Sequence, residues 1–436
     1  MDFSRIINIL GIPALLIIAW LISSNRKVVN WRVILWGLGI ELILALFIFI
    51  IPVGAKFFLV VNDLVNSVLD SASYGTFFVF GPLALSPGTT LPSGEISIGF
   101  ILAFQALATI VFFAVLVGLL YYFGIMSKII QLFSFVFTKL MKISGAESLC
   151  ASSNIFVGVE AGLVVKPYLN KMTKSELNTI LTAGMATIAS SMLAVYILIL
   201  RNDFPNIAGH LVSASLMNAP AAIIISKILV PETDAPVTFG KNVKPLYEKE
   251  GSFFESIINN SNSAARLIVG IGGMLLAVLG LMSLADKIFV FLGGFINNAL
   301  SLNIDWTLKG LLGYLFYPFT FIIGIPLNDI PAISKVIGER LVLTEIPAFQ
   351  DLAKLIASGG LSSMRSAVIT TYAITGFAHI ASIAIFVGGY AALIPERIKD
   401  ISKLGIRAVI GATLANLLTA TIAGLFYSNG TILLGN

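Results

Sequence analysis

Charge is scarce in this 436-residue chain, with 27 basic and 22 acidic side chains making up 11% of it. Soluble domains carry about 25%. With 57% hydrophobic residues and a mean hydropathy of +0.97, a globular exterior would be largely apolar, which excludes a soluble enzyme. Cysteine occurs once, at Cys150, so neither a disulfide framework nor a multi-cysteine metal or iron–sulfur site can be built. Two histidines, His210 and His379, are too few for a histidine-rich metal centre. His210 falls in the loop before the fifth apolar stretch and reads as a surface residue. No glycine loop followed by Lys-Ser or Lys-Thr occurs, so nothing supports a nucleotide-driven pump. The pI near 9.1 has no polar domain behind it and does not point to nucleic acid.

What the chain does have is long apolar runs. A hydrocarbon core about 30 Å thick is crossed by roughly 20 helical residues. Eight stretches meet that length: 6–23, 33–52, 100–123, 177–200, 211–230, 265–284, 369–394 and 408–427. The fold class is therefore an all-α polytopic membrane protein. Basic residues gather after the first stretch (Arg26, Lys27, Arg32), the third (Lys128, Lys139, Lys142) and the fifth (Lys241, Lys244, Lys249), and before the last (Arg397, Lys399, Lys403, Arg407). The positive-inside rule puts these in the cytoplasm and both termini outside a plasma (inner) membrane. Residues 53–69 and 125–141 have the spacing of amphipathic helices lying in the interface. Residues 71–97 read as an external loop, and 231–251 as a linker too short for a domain.

Two further apolar stretches are interrupted at their middles. Residues 146–167 hold Asn154, Gly158, Glu160 and Gly162, and 308–333 hold Gly324, Pro326, Asn328, Asp329 and Pro331. Glycine or proline beside a carboxylate, halfway along an apolar run, indicates a re-entrant hairpin whose tip lines a protein cavity. The two halves also repeat. Gly184-Met-Ala-Thr-Ile-Ala-Ser190 matches Gly376-Phe-Ala-His-Ile-Ala-Ser382 at five of seven positions. The next helix follows suit: Ala214-x-Leu216-x-Asn218-x-x-x-Ala222 recurs as Ala412-x-Leu414-x-Asn416-x-x-x-Ala420. The loop charges give the two units opposite orientation. Inverted repeats with interrupted helices point to a secondary transporter with a midplane site. The expected organisation is a scaffold at 1–143 and a transport core at 144–436. That core holds repeats at about 144–230 and 306–430, and a linker with a scaffold helix at about 231–305.

These segments resemble the concentrative nucleoside transporter family from about Ser23 to the last helix. The sharpest parts are Ala146-Glu-Ser148 leading into Asn154-Ile-Phe-Val-Gly158, then Val164-Val-Lys-Pro-Tyr168, Lys171-Met-Thr-x-Ser-Glu-Leu177 and Gly376-Phe-Ala-x-Ile380. The resemblance implies a homotrimer of independent protomers in the bilayer. It also implies symport of a nucleoside with a cation, bound between the hairpin tips and the two unwound helices. No cofactor is implied; sodium is the favoured co-substrate and a proton the alternative. The pocket positions differ from the family's usual residues. The first tip, usually Gly-Gln-Thr-Glu-Ala-Pro, reads Gly158-Val159-Glu160-Ala161-Gly162, one residue shorter. The second tip, usually Pro-Trp-Asn-Glu, reads Pro326-Leu-Asn328-Asp329. The unwound segment, usually Gly-Phe-Ala-Asn, reads Gly376-Phe-Ala-His379, while Ser382 is kept. A last motif, usually Glu-Phe-Val-Ala-Tyr, reads Glu345-Ile-Pro-Ala-Phe349 and is placed outside the pocket.

The candidate substrate contacts are thus Val159, Glu160, Met192, Asn328, Asp329, His379 and Ser382. A buried carboxylate such as Asp329 or Glu160 is costly at membrane depth unless it is used, and it can accept from two ligand hydroxyls. His379 can donate to a substrate oxygen, or it can titrate near neutrality and carry a coupling proton. The cation positions that the resemblance implies are Asn154, Val157, Thr187 and Ile188, with hydroxyl and carbonyl oxygens suited to sodium. Two rival readings are a proton-driven carrier of nucleobases or modified nucleosides, and an intramembrane enzyme using Glu160, Asp329 and His379 as an acid–base set. The enzyme reading lacks a second membrane-embedded histidine, a reactive cysteine and any nucleophile motif.

Overall fold

The computed structural model describes residues 3–90, 94–246 and 250–428. Lys249, residues 91–93 of the 71–97 stretch, and the end of the second repeat and of the chain from 429 onward lie outside them. Among the described residues the secondary structure is helical, with two isolated β-bridges and no strand.

The N-terminal part holds α1 (Phe3–Leu21), α2 (Trp31–Phe49), α3 (Pro52–Phe80), α4 (Thr109–Tyr122) and α5 (Ile125–Met141). Asn30 starts α2 by accepting from the Val33 amide at 3.3 Å, and Pro52 starts α3 where no amide donor is needed. α5 covers the 125–141 stretch and buries Met126, Ile130, Phe137 and Met141 along one side. α3 runs further than the 53–69 reading and takes in 71–80, which the sequence assigned to a loop. The serines there do not break it, because Ser71, Ser73 and Thr76 turn their hydroxyls back onto carbonyls three or four residues earlier.

The first hairpin has one arm in α6 (Gly145–Asn154) and the other in two short helices, α7 (Ala161–Val164) and α8 (Lys166–Leu169). An interrupted helix follows, α9 (Lys174–Ala186) and α10 (Ser190–Leu200), and then α11 (Ile207–Leu229). Reciprocal caps start the two inward arms: Ser144 with Glu147 on α6, and Thr173 with Glu176 on α9. The linker leads into α12 (Phe253–Leu300), a helix of 48 residues that is far longer than the 265–284 span. The second hairpin pairs α13 (Leu308–Ile322) with α14 (Ile330–Val342). After it come α15 (Glu345–Ala357), an interrupted pair α16 (Met364–Ile374) and α17 (Ile380–Leu393), and α18 (Ile398–Phe426).

Among the described residues, eight helical stretches are long and apolar enough to cross a membrane. They are not quite the eight read from the sequence. Pro52–Ala84 qualifies by length and composition, while 369–394 is divided into arms of 11 and 14 residues by its break. The closing helices of the two repeats form the centre, with 89% of the apolar stretch of α11 and 83% of that of α18 buried, against 11% for α12. His210 belongs to that centre. It lies inside α11, which begins before residue 211, and its ring is enclosed by Phe49, Phe204 and Tyr372. The surface reading of His210 is therefore wrong, because the chain turns back into helix at Ile207 and carries the residue inward.

A lysine bridging two carboxylates stands at the base of each hairpin. Lys227 of α11 is buried between Glu147 at 2.8 Å and Glu232 at 3.3 Å. Lys309 of α13 bridges Glu339 at 2.8 Å and Asp351. Paired and hydrogen-bonded, such charges fix where each arm begins.

Candidate functional site

The first hairpin tip docks on the first helix break. Beyond Ala186 the chain is extended through Thr187 and Ala189, and α10 begins at Ser190. The Ser190 amide and hydroxyl both donate to the Phe156 carbonyl, at 2.9 and 2.6 Å. Ser215 of α11 donates to the Ile155 carbonyl at 2.9 Å and accepts from the Ile188 amide at 3.3 Å. Asn154 lies fully buried at the end of α6. Its Oδ1 accepts no hydrogen bond, and its Nδ2 donates to the Cys150 sulfur at 3.8 Å. Thr187 donates its hydroxyl to the Ala183 carbonyl at 2.8 Å, which leaves the oxygen lone pairs free to accept. The C-termini of α6 and α9 meet here through Ser215, and the residues at those ends, Asn154 and Thr187, carry an unpartnered amide oxygen and a hydroxyl oxygen, a chemistry suited to a hard cation. Asn154, Thr187 and Ile188 are thus brought together. Val157 lies on the same tip and lines the cavity beside it.

That cavity has a volume of about 890 Å³ and lies between the first tip, the start of α10, α4 and α12. Glu160 and Ser190 are on its wall. Val159 turns the other way and packs on α17, where a Cβ on Gly389 would come within 2.3 Å of it. Met192 is buried inside α10, away from the cavity wall.

The second break lies against the first. Gly376 has φ +105, and a Cβ there would sit 2.4 Å from the Ala186 carbonyl oxygen, so only glycine allows this approach. The repeats do not break at equivalent residues. Gly184, the sequence match of Gly376, stays helical under the Phe386 ring, so the second break opens earlier in its repeat. His379 caps α17. Its Nδ1 accepts from the Ser382 amide at 3.1 Å, and Ser382 Oγ accepts in return from the His379 amide at 3.4 Å. An Nδ1 that accepts carries no hydrogen, so the ring proton resides on Nε2. Nε2 lies 3.1 Å from Glu345 Oε2 and donates to it, while Tyr196 donates to Glu345 Oε1 at 2.6 Å. All three residues are buried.

Sequence reasoning set the Glu345 motif outside the pocket, yet the structure joins Glu345 to His379. Tyr196 and Arg340 were not singled out either. Arg340 is fully buried, donates to Asn416 Oδ1 at 2.9 Å, and Asn416 Nδ2 donates to Ala186 O at 2.8 Å. The available signal was two opposite charges, Arg340 and Glu345, flanking an otherwise uncharged run. The second hairpin tip lies apart from this network. Asp329 accepts from the Ser362 amide and hydroxyl, each at 2.8 Å, and from the Ser366 hydroxyl. Asn8 of α1 donates to the Ile323 carbonyl of the same tip at 2.6 Å. Asn328 is exposed beside it.

Two hairpins seated on two interrupted helices, with a cavity at one tip, are the core of a membrane transporter. Comparison with known proteins specifies which kind. Family models described as Na+ dependent nucleoside transporter C-terminus, Na+ dependent nucleoside transporter N-terminus and nucleoside recognition gate match residues 210–424, 10–83 and 103–202. The chain is 33% identical to the nucleoside permease NupC of Helicobacter pylori, over 98% of this chain and 99% of that protein. It is also 33% identical to human solute carrier family 28 member 3, over 97% of this chain and 60% of that protein. The structure of CNTnw in an inward-facing substrate-bound state superposes with a TM-score of 0.87 at 32% identity, covering 97% of this chain and 98% of the other. A substituted CNTnw in an outward-facing state gives 0.88 at 31% identity, covering 98% of each. The chain belongs to the concentrative nucleoside transporter family, whose members are multi-pass membrane proteins and not enzymes.

Proposed function

We propose that this protein takes up a nucleoside or nucleoside-like molecule by symport, driven by a sodium gradient across the plasma membrane. The observation that carries the reading is the fully buried Asn154 Oδ1, left without a partner at the junction of hairpin tip and helix break. A buried acceptor without a donor is costly, and a sodium ion would satisfy it. The same tip presents Glu160 to the cavity. Sodium at Asn154 and Thr187 would therefore brace the wall against which the ligand rests, and that mechanical link is the coupling. Segments 144–230 and 306–430 then act as the moving core, and 1–143 with 231–305 as the scaffold of a trimer whose termini face outward.

A second reading, proton coupling, is favoured by one specific observation, the Glu345–His379 contact at 3.1 Å. Uptake into proteoliposomes separates the two. Sodium symport requires nucleoside accumulation that follows the sodium gradient at fixed pH. Undiminished uptake without sodium that collapses with the pH gradient would overturn it.

A further inference from the structure

Arg340 of α14 has no exposed surface. Among the described residues it forms no ion pair. Its Nη1 donates to Asn416 Oδ1 at 2.9 Å, while Nε and Nη2 have no hydrogen-bond partner. The carboxylate whose field it feels is that of Glu345. Stability alone does not account for such a group. Apolar side chains commonly replace a buried charge pair without loss, and unpaired buried donors are costly. An ionisable residue at membrane depth therefore points to use.

Asn416 of α18 carries the contact onward. Its Nδ2 donates at 2.8 Å to the carbonyl of Ala186, the last residue of α9 before the extended Thr187. The second break comes close to that same oxygen, since a Cβ on Gly376 would lie 2.4 Å from it. One carboxamide and two hydrogen bonds thus join the guanidinium to the backbone of the first break. On its other side the guanidinium faces Glu345, which accepts from Tyr196 and His379. The fold does not require this arrangement. Asn218, the match of Asn416 in the first repeat, is also fully buried, yet neither its Oδ1 nor its Nδ2 has a partner. The same asparagine is unbonded in one repeat and bonded at both ends in the other, where the arginine stands.

Resting on the sodium reading above, we propose that Arg340 and Asn416 are positioning residues that couple the cation and nucleoside sites. Asn416 holds the Ala186 carbonyl on the sodium side, and the Arg340 charge holds Glu345 on the His379 side. Sodium at Thr187 fixes the Ala186–Ile188 backbone. Asn416, the guanidinium and Glu345 then settle into one arrangement, and the nucleoside meets a second break already ordered. By reciprocity a bound nucleoside raises sodium affinity by the same factor. This link acts beside the bracing of the Glu160 wall, and neither residue need touch a ligand.

The test is calorimetric titration of uridine and of inosine into the purified full-length protein, in sodium buffer and in choline buffer of equal ionic strength. In the wild type sodium tightens nucleoside binding about tenfold, a factor usual for linked sites. Asn416→Asp still accepts from Arg340 but meets the Ala186 carbonyl acceptor to acceptor, so the tightening falls to about twofold or less. Arg340→Met gives the same loss. Arg340→Lys keeps the charge and a donor for Asn416 Oδ1, and retains at least about fivefold. Sodium titrations with and without nucleoside return the same ratios. A role in packing alone would weaken binding equally in both buffers. Tightening in Asn416→Asp equal to that of the wild type therefore overturns the proposal and leaves the sodium reading intact. A loss in Arg340→Lys as complete as in Arg340→Met overturns it too. If the wild type binds both nucleosides identically in the two buffers, or binds neither, the sodium symport reading itself falls and this inference with it.

Discussion

Glu345→Gln is the most informative single change, because the glutamate is the common acceptor for two buried donors. Tyr196 O–H reaches one carboxylate oxygen at 2.6 Å and His379 Nε2 the other at 3.1 Å. A carboxamide of nearly the same shape keeps one acceptor and turns the other into a donor. One of the two donors then faces an N–H₂ group and goes unpaired, at about 1–3 kcal/mol. The negative charge near the fully buried Arg340 is also lost, which moves the total towards the roughly 3–5 kcal/mol typical of a broken buried pair. If ligand binding needs His379 and Tyr196 held in place, about 1–3 kcal/mol corresponds to a loss of affinity of roughly 5- to 150-fold. Nucleoside titration calorimetry on the detergent-purified protein, with a thermal-shift measurement on the same sample, reads both effects. His379→Asn is the control. An asparagine Oδ1 can still accept from the Ser382 amide, so the cap on α17 and the cation dependence hold while substrate preference changes. If Glu345→Gln matches the wild type within twofold in affinity and melts at the same temperature, the buried network is not what positions the second break.

Other expectations concern the tips and their junctions. Thr187→Val removes a hydroxyl oxygen at the first helix break, so half-maximal uptake should need more sodium while nucleoside affinity at saturating sodium is unchanged; an unaltered sodium dependence counts against Thr187 as a ligand. Asp329→Ala removes the acceptor of three hydrogen bonds that tie the second tip to Ser362 and to Ser366 of α16, and hydrogen exchange over 323–330 should rise. Wild-type protection there would mean that Asn8 alone holds the tip. Cysteine labelling should place both ends of 146–167 on one membrane face and both ends of 308–333 on one face, and labels on opposite faces would defeat the re-entrant reading.

The periodic and compositional features were legible in the sequence. Both hairpins, the position of α5 and the repeat through Gly184 and Gly376 could be read from residue type and spacing alone. What escaped depends on packing between distant segments. Glu345 and His379 are separated by 34 positions, and no spacing rule joins the start of one helix to the cap of another. His210 was misplaced because a helix start moved by a few residues turns a loop position into a core position. The offset between the two breaks had the same kind of cause. Matching glycines are helical in one repeat and at positive φ in the other, and a Cβ would meet the Phe386 ring at Gly184 but the Ala186 carbonyl at Gly376.

α12 has a consequence for the membrane itself. At 1.5 Å per residue its 48 residues extend about 72 Å, more than twice a hydrocarbon core of about 30 Å. Such a rod cannot stand upright within the lipid; it either slants steeply or projects far beyond the surface. In the slanted case a small change in bilayer thickness alters the slope, and because the helix is long, it displaces points along the rod sideways as well as vertically. The cavity-lining Arg266 lies about 20 Å in from one end of that lever. Acyl-chain length, which adds only fractions of a kcal/mol per ångström of mismatch, would then shift the alignment between the cavity wall on α12 and the hairpin tip opposite it.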